Sequence, residues 1–422
     1  MESRINKFFL EDVIFLFLLF LLYIIGDLNS NNLGKFLILI AIFSTLQLIY
    51  RYKKQDYLVI FFIFSILYWI YLVPYYYFGI PYHYLLEFQT IEYTNIIVLL
   101  QVSMLRIMFF AIVPGKMKIP REMFSYRNNI VIYYSIIILL TTMVPITLAL
   151  HPPNLSGNYS LETKSSIWFE YVIIFIIIAG VYSNSKFKQI LLISISIIYM
   201  MMPLLYGKRL AFLMVVLTIF NLFFAGKFKL KQILFLVLIG FIFIRVFAGL
   251  RVGMENMNVL QFLLGVTDEG VMSNNQGGVI VCSTTYYGLI EENIFDIIFR
   301  LKSLIGTISG IFIPSSLNLK EAYINIVAMD VSTIPGNGGF PSIYLYIWGG
   351  FIGVLFGGGT FNYLIRKSIY SRITAIYFIF VLATFPRWYA YNMFILFKMG
   401  FWLMFLLAVA DTFHKYSKKV NT

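Results

Sequence analysis

The chain has 422 residues, 60% of them hydrophobic and 12% charged, with a mean hydropathy of +0.84. Soluble domains carry about 25% charged residues, so this composition excludes a water-soluble globular enzyme and points to an all-α, polytopic integral membrane protein. A net charge of +13 would suggest nucleic acid in a soluble protein; here it reads as membrane topology, and no nucleic-acid partner is expected.

Apolar runs of about 20 residues recur from end to end. The first, Phe8 to Ile25, holds Glu11 and Asp12 near its start and is followed by Gly26-Asp27-Leu28-Asn29-Ser30 rather than a small-x-small cleavage pattern. It therefore reads as a retained span. Further spans are predicted at 36–50, 57–73, 94–113, 129–150, 167–182, 189–206, 210–225, 232–249, 343–363, 373–390 and 393–410, giving about 12 transmembrane helices. Alternate connections, counted from the N-terminus, hold clusters such as Arg51-Lys53-Lys54, Lys116 to Arg127, Lys227 to Lys231 and Arg366 to Arg372, and together carry 20 of the 32 lysines and arginines. The opposite connections carry nine, although they are longer. The positive-inside rule then puts both termini in the cytoplasm.

Three parts follow: helices 1 to 9 over 1–249, a large outer loop over 250–342, and helices 10 to 12 with a cytoplasmic tail over 343–422. Within the loop, Gly278 to Ile290 and Leu304 to Ile313 are apolar but too short to span. They are expected to be short helices on or dipping into the outer interface. Cys282 is the single cysteine, and His83, His151 and His414 are far apart. Neither a disulfide nor a metal centre is expected, and no cofactor is implied.

Candidate chemistry concentrates on the outer side. Gly207-Lys208-Arg209 is a tight turn with two cations where cations are depleted. Arg245 and Arg251 flank the end of the ninth span, with Gly249 and Gly253 beside them. Paired guanidinium groups suit a pyrophosphate, although such residues also serve as interface anchors. Arg387 follows Pro386, and Trp388, Tyr389 and Tyr391 after it offer flat faces for a sugar ring or form an aromatic belt. Arg106 and Lys398 sit deeper, and a buried ion pair or a snorkelling lysine accounts for them as well as a ligand does. In the loop, Asp268-Glu269 and Asn274-Asn275-Gln276-Gly277-Gly278 suit hydroxyl-rich ligands, with Glu255, Asp268 and Glu269 as candidate bases. Asn337 lies in Pro335-Gly-Asn-Gly-Gly-Phe-Pro-Ser342, which runs into the tenth span. The spacing of Gly349, Gly353 and Gly357 reads as helix packing.

The Gly-Lys-Arg turn, the Asn-Gln-Gly-Gly stretch and the Gly-Phe-Pro-Ser segment, set in this architecture, resemble the bacterial O-antigen polymerase (Wzy) family. The paired-arginine motif of some members, with a glycine eleven residues on, has no counterpart: Asn256 and Phe262 stand at those distances from Arg245 and Arg251. The resemblance implies a GT-C-like, metal-independent membrane glycosyltransferase of the bacterial inner membrane. It would move a growing chain from undecaprenyl pyrophosphate onto a new lipid-linked repeat unit in the periplasmic leaflet. Lys208, Arg209, Arg245, Arg251, Gln276, Asn337, Arg387 and Trp388 would bind that substrate. Membrane lipid is a further partner, and the resemblance leaves room for a chain-length regulator and a flippase. An O-antigen ligase shares the donor but brings a histidine in the outer loop, and none lies between Leu250 and Ser342. A lipid-linked oligosaccharide flippase or other transporter would have short loops on both faces.

Overall fold

The computed structural model describes residues 2–79, 88, 90–117, 126–150, 152, 168–206, 208–252, 275–313, 317–332, 334 and 338–420. Among them are fifteen α-helices and no strand. They are α1 Glu2–Ile25, α2 Asn31–Arg51, α3 Asp56–Phe78, α4 Ile91–Met108, α5 Ile130–Leu150, α6 Trp168–Val181, α7 Lys186–Leu205, α8 Arg209–Ile219 and α9 Leu230–Val252, then α10 Asn275–Glu291, α11 Ile297–Ser309, α12 Ile324–Val331, α13 Pro341–Ser368, α14 Arg372–Trp388 and α15 Phe394–Val420. A helix underlies each of the twelve apolar runs read from the sequence. Eight helices (α1 to α5, α7, α13 and α15) are long and apolar enough to cross a membrane; α6, α8 and the 230–242 part of α9 are shorter apolar helices. The chain is a multi-pass membrane protein.

Side chains at the helix ends tie one end of the bundle together. Asp12 on α1 is buried and accepts from Arg51 Nη1 at 2.9 Å, from Arg106 Nη1 at 3.4 Å and from the Ala111 amide at 2.8 Å. Arg51 also donates to the Ile112 carbonyl, and Arg106 to Ser44 and Gln47. Arg106 is thus the buried ion pair that the sequence left open. Asp56 accepts from the Gly226 and Phe228 amides, and Asp411 holds Arg127, Arg372 and Tyr182. Each carboxylate fixes a connection to a helix, which an apolar bundle needs because unpaired buried charge is costly. We call this the basic end.

The segment 275–332 departs from the expected surface loop. Residues 279–289 of α10 are buried on every face, against α3, α4, α12 and α13. Gly278 to Ile290 is therefore a core helix, not an interfacial one. Two of its hydroxyls show how: Ser283 and Thr284 donate to the carbonyls of Val279 and Val281 on their own helix, so these two are satisfied without water. In contrast, α11 has inverted polarity. Ser303, Gly306 and Thr307 are buried, while Ile297, Ile298, Leu301, Ile305 and Ile308 are exposed. An amphipathic helix with its apolar face outward suits an apolar surrounding.

The tenth apolar run is a broken helix. In α13, Gly349 (φ −147°) and Gly350 (φ 58°, ψ −150°) are non-helical, and Gly350 adopts a conformation open mainly to glycine. The break takes carbonyls of the preceding turn from the helical ladder. Arg300 on α11 supplies donors to those of Ile347 and Tyr346, and Trp348 Nε1 donates to Ser303 Oγ at 3.1 Å. Beyond the break, a Cβ on Gly353 or Gly357 would collide with Leu345. The glycine stripe therefore packs the helix against its own first half.

Candidate functional site

The end opposite the basic end gathers three of the segments singled out in the sequence. The first is 338–341, which leads into α13. Gly338 is pressed against the backbone of Tyr391, where an added Cβ would lie 2.2 Å from the Tyr391 Cα, so only glycine fits. The Phe340 amide donates to Ser283 Oγ at 2.9 Å, and Tyr344 donates its hydroxyl to the Tyr391 carbonyl at 3.0 Å. The first bond ties the start of α13 to α10, and the second ties it to the α14–α15 turn.

That turn forms where Pro386, in the last turn of α14, is followed by Arg387. The Arg387 carbonyl accepts from both the Tyr391 and Asn392 amides at 3.0 Å, and Asn392 Oδ1 caps the Phe394 amide at the start of α15. The third segment is the α7–α8 connection. Pro203 lies in the last turn of α7, its carbonyl accepts the Lys208 amide at 2.7 Å, and Arg209 opens α8, which packs closely along α14. Arg209 thereby comes near Tyr391.

The electrostatics follow from this convergence. Burial pushes the Tyr391 hydroxyl up to about 12, while the positive charges of Arg209 and Arg387 work the other way. The Arg387 guanidinium lies 6.0 Å from the Tyr391 ring centroid. Its charged partner is Glu170, in the first turn of α6, with Nη2 to Oε1 at 3.5 Å and both side chains near one-third exposed. The guanidinium makes no hydrogen bond to a described residue. A guanidinium fork with one loose carboxylate partner thus lies beside the half-buried Tyr391 ring. Such an arrangement can take a carboxylate or phosphate in bidentate fashion. Among the described residues no group of three or more His, Cys, Asp or Glu could hold a metal ion.

The sequence-read candidates divide into three groups. Arg209 and Arg387 come together at Tyr391, with Lys208 next to Arg209 in the chain and Gly338 against the Tyr391 backbone; Gln276 is half-buried in the first turn of α10. Trp388 is a correction. It is 1% exposed, stacked between Phe61 and Phe361 with centroids at 6.0 and 5.0 Å, and its Nε1 donates to the Val381 carbonyl. Its side chain belongs to the core, as does that of Tyr389, because the last turn of α14 points them inward. Neither can carry a sugar, which leaves Tyr391. Arg245 and Arg251 lie on α9, but their side chains fall outside the described residues, as do Asn337, Glu255, Asp268 and Glu269. Glu170 and Tyr344 were missed. An acid in the first turn of an apolar helix was the available signal for Glu170; nothing in the sequence marked Tyr344.

In comparisons with known proteins, the chain matches no family model, no curated protein and no solved structure.

Proposed function

We propose that the protein is a membrane glycosyltransferase that polymerises undecaprenyl-pyrophosphate-linked O-antigen repeat units at the periplasmic face of the bacterial inner membrane. In this reading twelve helices span in a GT-C-like arrangement, both termini are cytoplasmic, and the basic end faces the cytoplasm in accord with the positive-inside rule. The end bearing Arg387 is then periplasmic.

The reaction joins two lipid-linked sugars. An acceptor hydroxyl attacks the anomeric carbon of the growing chain, the bond from that carbon to the pyrophosphate oxygen breaks, and undecaprenyl pyrophosphate leaves with the electron pair. Negative charge on the leaving group grows in the transition state, so preorganised cations beside it lower the barrier. Arg387 carries this assignment: its guanidinium donors are free of hydrogen bonds to described residues, and Arg209 and Lys208 add charge of the same sign at that end. Arg245 and Arg251 join the same role by their place at the end of α9, and Glu255, Asp268 and Glu269 are the loop carboxylates open to act as base.

Deleting the gene in its host and separating the surface polysaccharide on a gel tests this reading. Core carrying a single repeat unit is the expected result. Bare core with long lipid-linked chains accumulating would point to a ligase, and bare core with units trapped on the inner leaflet to a flippase; either result overturns the proposal.

A further inference from the structure

Glu170 is the carboxylate paired with the cationic cluster, and its partner is the same arginine that carries the proposed function. The separation of 3.5 Å is an ion pair without a hydrogen bond. An anion offering two oxygens to the Arg387 fork makes shorter, bidentate contacts and competes with such a pair. We propose that Glu170 is the proton acceptor for the attacking sugar hydroxyl, paired with Arg387 and freed when pyrophosphate takes the guanidinium.

This rests on the polymerase reading and names a group that reading left open. The hydroxyl oxygen forms its bond to the anomeric carbon, its proton passes to a Glu170 carboxylate oxygen, and the pyrophosphate departs on Arg387. Water on the periplasmic side then takes the proton from Glu170. Geometry supports the pairing of roles: Glu170 sits on α6 and Arg387 on α14, so base and leaving-group cation approach one point from different helices, each near one-third exposed. A general base contributes roughly 10²- to 10⁴-fold to such a transfer.

The test uses the full chain in vesicles of phosphatidylethanolamine and phosphatidylglycerol, supplied with lipid-linked repeat units extracted from the host, and inorganic pyrophosphate as the binding probe. Glu170→Gln should slow chain growth by roughly 10²-fold or more, while pyrophosphate still raises the melting temperature at least as much as in the wild type. Glu170→Asp, which keeps the carboxylate, should restore part of the rate and covers the case in which the glutamine variant folds poorly. Wild-type rates from Glu170→Gln would overturn the base assignment. Loss of the pyrophosphate response in Glu170→Gln would also overturn it, since the residue would then only position Arg387. No chain growth from the wild-type protein in these vesicles would instead sink the polymerase reading beneath it, and wild-type chain growth in Arg387→Ala would remove Arg387 as the cation that releases Glu170.

Discussion

The two ends of this bundle use arginine differently. At the basic end Arg51, Arg106, Arg366 and Arg372 donate to protein acceptors (Asp12, Asp411, Asn362, and the carbonyls of Ile112 and Phe110), and Arg127 is ion-paired with Asp411. At the other end Arg387 has a loose ion pair and no hydrogen bond to a described residue. Guanidinium groups held by carboxylates and carbonyls tie helices together, whereas a guanidinium with only a loose ion pair beside Tyr391 is suited to a ligand. Charge alone, which both ends share, does not distinguish them; the closeness and number of their partners do.

The sharpest way to break the comparison is at the basic end. Asp12→Ala leaves Arg106 buried without its carboxylate and should destabilise the protein by about 3–5 kcal/mol, read as a fall in melting temperature in detergent. A variant as stable as the wild type would mean that the Arg51 and Arg106 pairing is not structural. Trp388→Ala should cost a similar amount, about 3–5 kcal/mol, because it empties a stacked core site next to Arg387. Unchanged stability with lost activity would return Trp388 to the role of sugar platform.

These two residues also show what was legible in the sequence. Hydropathy located every long helix, because an apolar run near bilayer thickness permits few alternatives. It could not tell α10 from an interfacial helix: a run too short to span is equally compatible with lipid and with a protein core, and only the packing of α3, α4 and α13 around it decides. The break at Gly349 and Gly350 was hidden for a related reason, since GxxxG spacing is the same whether glycines admit a neighbouring helix or the first half of their own broken helix. The candidate site was half legible. Cations on the side poor in cations marked Arg209 and Arg387, but Trp388 and Tyr391 are three residues apart, and which of them faces inward depends on where α14 ends.

Smaller effects sharpen the contrast further. Gly350→Ala forces a Cβ into a conformation with φ near 58° and should cost about 1–3 kcal/mol, with the Arg300 clamp loosened. Lys302→Ala breaks an exposed pair with Glu321 at 3.5 Å and should shift stability by less than about 1 kcal/mol. A larger loss there would mean that exposed pairs matter more in this protein than the carboxylate networks imply.

The most direct measurement puts Arg387→Ala into the deletion host and follows both the surface-polysaccharide ladder and the amount of protein in the membrane. The account predicts normal membrane levels and melting temperature, with the ladder collapsed to core plus one repeat unit. Rate losses of roughly 10²- to 10³-fold are typical when a preorganised donor to developing negative charge is removed. A full ladder at normal protein level would contradict the assignment of Arg387 as the cation that receives the leaving pyrophosphate.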